Sequence, residues 1–384
     1  MDNLFFTDEH IMIRDMVREF ADTEITPVAR DLDEQGEFPT ALVNKMGELG
    51  LMGILIPEEY GGSGLDMVAF ATAIIELARA DASVAITMAA HTSLGSLPIL
   101  MFGSEEQKNT YLPKLATGEM LGAFGLTEPD AGSDAGATKT KAVRDGDEYV
   151  VNGGKIFITN AGKAGVLSFT SQVIENGKNL GIAAFSISTN TPGLDIGPKE
   201  KKMGWHASDT RQLFFKDMRI KTSSMLGTPT NGFKTFLKTL TSGRVSIGAL
   251  SIGTALGAYE RALAYSTERI AFGKPINNFQ SVGFKLADMA TKIEASKLLV
   301  FHAAWMKDQG LDITKEAAMA KLFASETAME VTTEAIQIHG GYGYVKEYDV
   351  ERFFRDAKIL EIGEGTSEIQ RLIISREILK EIQI

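Results

Sequence analysis

The spacing of apolar residues changes twice along the 384-residue chain, and this limits the possible fold more than any single motif. Residues 1–118 repeat apolar side chains at helical spacing. Residues 119–228 instead contain short runs typical of strands, separated by Gly and Pro. Helical spacing returns in residues 229–384. The sequence therefore predicts an α+β protein with an N-terminal α-helical domain, a middle β-sheet domain and a C-terminal helical domain.

Two segments make local predictions that a structure can test. Residues 149–158 have the pattern of a strand, a tight turn at an Asn-Gly pair and a second strand. Further on, alanines on both sides of Lys321 form a stripe of small residues. Small side chains let helices approach closely, so this stripe predicts a tightly packed helix in the C-terminal domain.

Composition excludes several classes of function. The chain has no cysteine, so a disulfide framework, a thiolate nucleophile and a cysteine-bound iron–sulfur site are impossible. Its five histidines are scattered without an HExxH-type pair, and we predict no metal site. The net charge of -11 disfavours nonspecific binding to nucleic acid or to an anionic membrane. A Ser-His-Asp site stays open, although no GxSxG motif supports one.

The sequence predicts neither a targeting segment nor a membrane span. Residues 7–13 predict a capped amphipathic helix and lack the basic, apolar and small-residue parts of a signal peptide. Residues 83–103 carry no charge, but their His, Pro, Ser and Thr residues predict a buried helix and turn. We therefore expect a cytoplasmic protein, although a mature mitochondrial matrix protein without its targeting peptide would look the same.

A single carboxylate between two glycines is the strongest candidate for chemistry. Glu364 lies between Gly363 and Gly365, and Ser367 and Gln370 behind it have the spacing of a helix capping box. The glycines would let a flat substrate approach the backbone, and the helix N-terminus would supply N–H groups and a positive dipole end. Such a turn could take a proton from carbon and stabilise the charge left behind. The alternative is a solvated loop glutamate before an ordinary helix.

Five further segments are unusual for a plain scaffold. Residues 124–134 form a strand that runs into a loop bearing Gly, Ser and Thr, and residues 337–344 contain paired glycines. Residues 157–160 place an aromatic ring and a hydroxyl on one strand face, which core packing would explain equally well. Arg269 could pair with a pyrophosphate, and Arg244 could meet a phosphate or be a solvated helix residue. Neither a GxGxxG fingerprint nor a P-loop is present to support NAD binding or phosphoryl transfer.

Taken together and in this order, these segments resemble the acyl-CoA dehydrogenase family. The resemblance covers nearly the whole chain and rests on the strings TEPDAGSD, RIAFGKPINNFQ, GGYGY and EGTSEIQR, which are weak singly and specific jointly. The family's fold has an N-terminal α domain, a middle β domain and a C-terminal four-helix bundle. The resemblance implies FAD as cofactor, an acyl-CoA thioester as substrate, electron-transfer flavoprotein as electron acceptor and, usually, a homotetramer.

The resemblance also implies roles for individual residues, with Glu364 as the catalytic base. The positions that match cofactor contacts are Phe124, Leu126, Thr127, Ser133, Phe157, Thr159, Arg269, Phe272, Gln280, Gln337, Gly340, Gly341, Thr366 and Glu368. The substrate-side positions are Ser133, Gly243, Arg244, Gly363 and Gly365. Those from Arg269 to Gly341 would reach the FAD of a neighbouring subunit, which requires at least a dimer.

The implied reaction makes a physical demand on the base. The α-proton of a thioester is too weakly acidic for a carboxylate in water, so we expect burial to raise the pKa of Glu364 toward the working range. Hydrogen bonds to the thioester oxygen, including one from the Glu364 N–H, would stabilise the enolate charge; one such donor is typically worth about 3 kcal/mol. The β-carbon would deliver hydride to flavin N5, held in line with the base.

Three positions bear on which substrate is used. Gly363 stands where many family members carry Tyr, which predicts a wider pocket beside the base and admits a branched, cyclic or aryl acyl group. Thr241 stands where many short- and medium-chain members carry Asp, which leaves CoA-side binding open. Gly243 takes the position of the base in some relatives, so Glu364 has no evident rival. The alternatives to a short- or medium-chain dehydrogenase are a specialised dehydrogenase, an enoyl-CoA reductase of the same fold, and a noncatalytic flavoprotein scaffold.

Overall fold

The computed structural model describes residues 2–228 and 232–382, which form the predicted α+β fold. The first change from helix to strand falls between Ala116 and Leu121, close to the boundary predicted after residue 118. The second predicted boundary, between residues 228 and 229, meets residues outside the described ranges. The N-terminal helices are α1 (Asp2–Phe5), α2 (Asp8–Phe20), α3 (Ala29–Gln35), α4 (Thr40–Glu48), α5 (Met67–Ala80), α6 (Ala82–Ala90), α7 (Leu97–Phe102) and α8 (Glu105–Ala116).

The first long helix, α2, begins at the cap that its sequence predicts. The His10 N–H donates to Thr7 Oγ1 at 3.4 Å, and the Thr7 N–H donates to His10 Nδ1 at 2.9 Å. The first turn of a helix leaves its N–H groups without carbonyl partners, and this reciprocal pair of hydrogen bonds supplies acceptors for two of them. The predicted capped helix at the N-terminus is confirmed.

The uncharged segment that we predicted to be buried is a continuous helical run, from α6 through a π-helical turn at His91–Ser96 to α7. By length and composition alone, Ala82–Phe102 could cross a membrane, but 83% of its most apolar window is buried inside the protein. The Gly122 N–H donates to His91 Nδ1 at 3.1 Å, and His91 Nε2 lies 3.0 Å from the Leu115 carbonyl oxygen. The run therefore packs as core helix, with its histidine bonded to backbone on both sides.

The middle domain is one eight-stranded sheet with the order β6-β7-β3-β2-β4-β5-β8, and β1 pairs with β4 beside it. β1 and β2 run parallel to β4, and the other pairs are antiparallel. The strands are β1 (Leu121–Gly125), β2 (Lys141–Asp145), β3 (Glu148–Thr159), β4 (Ala164–Glu175), β5 (Lys178–Ser188), β6 (Leu194–Lys199), β7 (Thr210–Lys221) and β8 (Met225–Leu226).

The strand–turn–strand prediction for residues 149–158 was wrong, because β3 runs through the Asn-Gly pair without reversing. Val151 pairs with Met218 and Gly153 with Phe215, so the register shifts between them and the strand carries a bulge. A Cβ on Gly153 would come within 2.5 Å of Thr140 Oγ1, and its φ of 145° suits glycine. Gly153 therefore lets the backbone of β3 pass close to Thr140 inside the sheet. It does not form the hairpin turn that the sequence had suggested.

The C-terminal domain is a bundle of long helices with a small hairpin at one end. As predicted, α11 buries the alanine stripe, including Ala317, Ala320 and Ala324, and Lys321 is fully buried among them. The elements are α9 (Gly232–Glu268), β9 (Ile270–Ala271), β10 (Lys274–Pro275), α10 (Gln280–Asp308), α11 (Thr314–His339), α12 (Val350–Ala357) and α13 (Ser367–Ile382).

Candidate active site

Glu364 lies on a left-handed turn just before α13. Its φ is 53°, and that of Gly365 is 97°. Glycine adopts such angles without cost, but a glutamate there is uncommon and stores about 1–3 kcal/mol of strain. The Gly363 N–H fixes the start of the turn by donating to the Ile359 carbonyl at 2.8 Å. The predicted special turn around the carboxylate is confirmed.

The helix behind this turn is capped one residue earlier than we predicted. The Ile369 N–H donates to Thr366 Oγ1 at 3.3 Å, so Thr366 is the cap. Ser367 is the first residue of α13, and its buried Oγ has no hydrogen-bond partner among the described residues. The capping-box prediction was wrong because the left-handed turn ends at Gly365, which makes Thr366 the last residue before the helix.

Two side chains donate hydrogen bonds to the carbonyl oxygen of Gly365, the residue after Glu364. Lys321 Nζ donates to the Gly365 oxygen at 2.8 Å from α11. Gln370 Nε2 donates to the same oxygen at 2.8 Å and to the Glu364 oxygen at 3.3 Å. Gln370 therefore folds back onto the turn, where we had expected it to complete a capping box. The backbone around Glu364 is held from two different helices.

The carboxylate of Glu364 packs directly against Gly243 on α9. A Cβ at Gly243 would lie 2.0 Å from Glu364 Oε2 and 3.5 Å from Leu94 Cδ2. Heavy atoms do not approach to 2.0 Å without bonding, so only glycine leaves space for the carboxylate in this position. Gly243 was predicted as a substrate-side residue that leaves Glu364 without a rival base. In the structure it leaves the space that the Glu364 carboxylate occupies.

Burial sets the protonation of this carboxylate. It raises the pKa of Glu364 to about 7, against the opposing pull of the nearby Lys321 and Arg244 cations. Arg244 is itself buried, on α9 beside Gly243. A carboxyl group with a pKa near neutrality can exchange a proton with a substrate under physiological conditions, which suits a general base. The expected pKa increase is therefore present.

Buried polar atoms without partners collect around Glu364. Within residues 2–228 and 232–382, eleven buried side-chain polar atoms have no hydrogen-bond partner. Five of them belong to two short segments, and they are Ser242 Oγ, Arg244 Nε, Glu364 Oε2, Ser367 Oγ and Gln370 Oε1. Most buried polar groups in proteins are bonded, so a concentration of exceptions marks a place where a polar ligand would complete the bonding.

A second candidate region lies where β1 ends. The Ile156 N–H of β3 donates to the Thr127 oxygen at 2.9 Å, and Lys155 Nζ donates to the Leu126 oxygen at 3.1 Å. These bonds bring the Leu126–Thr127 turn next to Phe157 and give it a fixed shape. Three predicted cofactor residues, Leu126, Thr127 and Phe157, therefore lie close together, and the fourth, Thr159, is two residues further along β3.

The shape of this turn rests on a buried ion pair. Lys155 Nζ lies 2.7 Å from Glu128 Oε1, and both side chains are almost completely buried. Glu128 also accepts hydrogen bonds from the Thr138 hydroxyl and from the Lys139 and Thr140 N–H groups. The Lys155 cation and these donors hold the pKa of Glu128 at about 2, despite its burial. This carboxylate stays ionised and is structural.

The remaining middle-domain candidates differ in exposure. Phe157 is 63% exposed with a φ of 59°, and Thr159 is half-buried. An exposed ring in a strained conformation is available to stack on a planar ligand. Ser133 is exposed on the loop after β1. Phe124 is buried, and its ring stacks on Phe236 with centroids 4.2 Å apart, so its side chain packs in the core.

The third group of candidates lies at the other end of α9. Arg269, Gly340 and Gly341 line one cavity of about 490 Å³, with the Arg269 guanidinium 5.5 Å from the centre of the Tyr342 ring. The other predicted residues of this group face outward. Phe272, at the tip of the β9–β10 hairpin, is 94% exposed with a φ of 50°, and Gln280 and Gln337 are exposed.

Two predicted cofactor residues belong to the helix start behind the base. Thr366 is the cap, and Glu368 is exposed in the first turn of α13, where acidic side chains are favoured by the helix dipole. Gly363 is half-buried, and a Cβ on it would meet only the Ile359 oxygen at 3.4 Å. A Cβ at Gly363 would therefore meet little on this side of the turn, and the wider pocket expected from this glycine stays a prediction. Thr241 bonds the Leu237 carbonyl within α9.

Sequence reasoning missed three charged residues that organise the site. Glu128 and Lys155 were read as parts of a loop and a strand, and Lys321 only as a member of an alanine stripe. A signal was present for the two lysines, since a lysine at an otherwise apolar position of a strand or helix needs a buried partner. Which carboxylate or carbonyl supplies that partner depends on the tertiary fold.

Comparisons with known proteins find similar sequences over nearly the whole chain. Residues 7–119, 123–218 and 230–379 match the N-terminal, middle and C-terminal domain models of acyl-CoA dehydrogenase. A probable acyl-CoA dehydrogenase of Bacillus subtilis, YngJ, is 53% identical over 98% of this chain and 100% of its own length.

Two solved structures have the same fold over almost the whole chain. Butyryl-CoA dehydrogenase of Megasphaera elsdenii is 43% identical with a TM-score of 0.94, covering 97% of this chain and 98% of its own. A chain in a structure described as the electron transferring flavoprotein of Acidaminococcus fermentans is 46% identical with a TM-score of 0.95, with the same coverage. With three matching domain models and relatives this similar, the chain belongs to the acyl-CoA dehydrogenase family.

Proposed function

We propose that this enzyme removes the α-proton of a short acyl-CoA with Glu364 and forms the trans-2-enoyl-CoA. The observation that carries the proposal is the Glu364 carboxylate itself, which has a pKa of about 7 and an unpartnered, buried Oε2 among the described residues. It sits on a strained turn and against a glycine that leaves room for it. A structural carboxylate gains nothing from this arrangement, whereas a base needs it.

FAD is the cofactor of this family, and the residues present fit it. The fixed Leu126–Thr127 turn and the exposed Phe157 ring offer polar groups and an aromatic face to a flavin. Arg269 and the backbone at Gly340 and Gly341 line a cavity that suits a phosphate-bearing group. When bound, FAD would supply the acceptor for the hydride that leaves the substrate β-carbon.

The residues around Glu364 would bind and orient the thioester. The Glu364 N–H, on a turn held by Lys321 and Gln370, would donate to the thioester oxygen and stabilise the enolate charge. Leu94, beside the carboxylate, belongs to the apolar group that packs around Phe124 and Phe236. This group would receive the acyl chain and exclude water from the base. The relative with a butyryl-CoA substrate supports a short chain.

The assembly and electron acceptor are part of the same proposal. The exposed positions of Phe272, Gln280 and Gln337 support contacts with the cofactor of a second subunit, in a homotetramer. Similarity to the Acidaminococcus fermentans chain supports transfer of electrons to an electron-transfer flavoprotein. A cytoplasmic location, as first expected, accords with the bacterial relatives.

The decisive experiment is the visible spectrum of the purified FAD-loaded protein, recorded anaerobically before and after addition of butyryl-CoA. We expect the yellow flavin band to bleach in the wild-type protein. Glu364→Gln should keep FAD and still bind the thioester, but bleach at least about a thousandfold more slowly, because an amide cannot accept the α-proton. Full turnover by this variant would show that the base has been assigned to the wrong residue.

A further inference from the structure

The turn that carries the base touches a buried cation, and the proposed reaction makes no use of its charge. Lys321 is a fully buried side chain in the middle of α11. Its Nζ donates to the Gly365 oxygen at 2.8 Å, directly after Glu364 in the chain. A lysine is rarely buried to this extent unless its ammonium group is paired, because removing that group from water is costly.

The Gly365 oxygen has a second donor, so anchoring alone does not require a charge. Gln370 Nε2 reaches the same oxygen at 2.8 Å and is neutral. A carbonyl oxygen has two lone pairs, and these two donors can use both. The two anchors therefore differ in one property: Lys321 brings a positive charge to the turn, and Gln370 does not.

Two cations act on the carboxylate of Glu364, and they lie on different helices. Glu364 faces Lys321 on α11 and Arg244 on α9. Lys321 in turn faces Glu361, on the short helix before the turn, and Glu368 in the first turn of α13. The cation on α11 thus lies among carboxylates, and its attraction opposes the effect of burial on Glu364.

We propose that Lys321 is a positioning residue that both holds the Glu364 turn and keeps enough of its carboxylate ionised to act as a base. The positive charge favours the ionised carboxylate, which is the form that can accept the α-proton. Burial lowers the pKa of Lys321 to about 8, with the neighbouring carboxylates acting in the opposite direction, so the ammonium is largely charged at neutral pH. This inference rests on the proposed function, since it assigns a role to Lys321 through the base.

The two anchors make a matched test in the FAD-loaded enzyme. The rate of anaerobic flavin bleaching by butyryl-CoA is measured against pH for the wild type, Lys321→Met and Gln370→Met. In Lys321→Met the midpoint of the ascending limb should move to higher pH by about one unit, because the ionised base loses a favourable charge. Gln370→Met should slow the plateau rate and leave the midpoint of the limb in place.

A third variant separates anchoring from charge. Lys321→Gln keeps an N–H donor at the end of the side chain, so it should show the same upward shift with a plateau rate closer to that of the wild type. It also replaces Lys321→Met if the latter does not retain FAD. Lys315→Met, in the first turn of the same helix, removes a lysine that is paired with Glu381; it serves as a control and should not move the profile.

The outcomes for the two proposals are distinct. A wild-type flavin that does not bleach with any small acyl-CoA would contradict the proposed function. A wild-type flavin that bleaches, together with a Lys321→Met limb at the wild-type midpoint, would overturn the role of Lys321 alone. An equal shift in Gln370→Met would overturn it as well, because that variant removes no charge.

Discussion

Two glutamates with buried carboxylate oxygens have opposite environments in this protein. In the middle domain, Glu128 accepts bonds from the ammonium of Lys155, a hydroxyl and two N–H groups, and its pKa falls to about 2. In the C-terminal domain, Glu364 has a buried Oε2 with no partner among the described residues, and its pKa rises to about 7. Burial raises the pKa of both carboxyl groups. The Lys155 cation and the other donors reverse that effect at Glu128, whereas Lys321 and Arg244 do not reverse it at Glu364.

The difference teaches how one residue type serves structure in one place and chemistry in another. A carboxylate with all its lone pairs bonded is rigid and cannot take a proton at neutral pH. A carboxylate that lacks donors is destabilised in its charged form and becomes a stronger base. The unbonded oxygen of Glu364 is therefore the feature that separates the two sites.

The largest effect is expected from closing the space beside the base. In Gly243→Ala the new Cβ would lie 2.0 Å from Glu364 Oε2, so the carboxylate must move. The side chain of Glu364 is flexible, and the fold should survive. Displacing a catalytic group by about 1 Å can cost about a hundredfold in rate, so we expect at least that loss in flavin bleaching by butyryl-CoA.

Gly283→Ala provides the control for this change. The glycine lies in the first turns of α10, and a Cβ there would meet only the Asn277 oxygen at 3.7 Å. Alanine is the better helix former by about 1 kcal/mol, so this variant should keep its activity and be at least as stable. Retention of full activity by Gly243→Ala would show that the carboxylate does not need this space.

Breaking the ion pair of Glu128 should lower the free energy of unfolding. Lys155→Met removes the cation and leaves the Glu128 carboxylate buried without it, which typically costs about 3–5 kcal/mol. Because Lys155 also holds the Leu126 oxygen, affinity for FAD should fall with it. Urea unfolding and FAD titration measure the two effects. The exposed pair between Lys139 and Asp130 is the control, and Lys139→Met should change neither measurement.

A single type of substitution, Glu to Gln, should act with opposite signs at the two sites. The pKa of Glu364 is raised, so its contribution to stability is present below about pH 4.5 and is lost as pH rises through about 7. Glu364→Gln has no such loss and should gain up to about 3 kcal/mol over the wild type by pH 8. The pKa of Glu128 is lowered, so its contribution is present above about pH 4.5 and is lost only toward pH 2.

Thermal unfolding of the FAD-loaded variants across this range measures the contrast. Glu364→Gln should match the wild type near pH 5 and exceed it near pH 8, whereas Glu128→Gln should be less stable than the wild type at both. A gain in stability that does not depend on pH would mean that Glu364→Gln acts through packing and not through the missing charge.

The sequence alone predicts one of these sites better than the other. The two changes of apolar spacing reveal the three-part architecture, and the paired glycines reveal the turn at Glu364, because both are local signals. The space that Gly243 leaves for the carboxylate joins residues 121 positions apart, and the pair of Glu128 and Lys155 joins residues 27 apart. Contacts of that kind follow from the tertiary fold. The Asn-Gly pair in β3 suits a hairpin or a bulge equally, and its pairing with β7 decides which forms.

The smallest effect concerns the helix start behind the base. Thr366 caps α13, so Thr366→Ala should cost about 1 kcal/mol of stability. Thr7→Ala, at the cap of α2, should cost a similar amount, but only Thr366→Ala should also slow flavin bleaching, because the capped turn carries Glu364. Ser367→Ala removes a buried hydroxyl without a partner among the described residues, and it should be neutral or slightly stabilising. If Ser367→Ala proves the more damaging of the two neighbouring changes, the cap lies where the sequence pattern had placed it, and the turn before α13 is one residue longer.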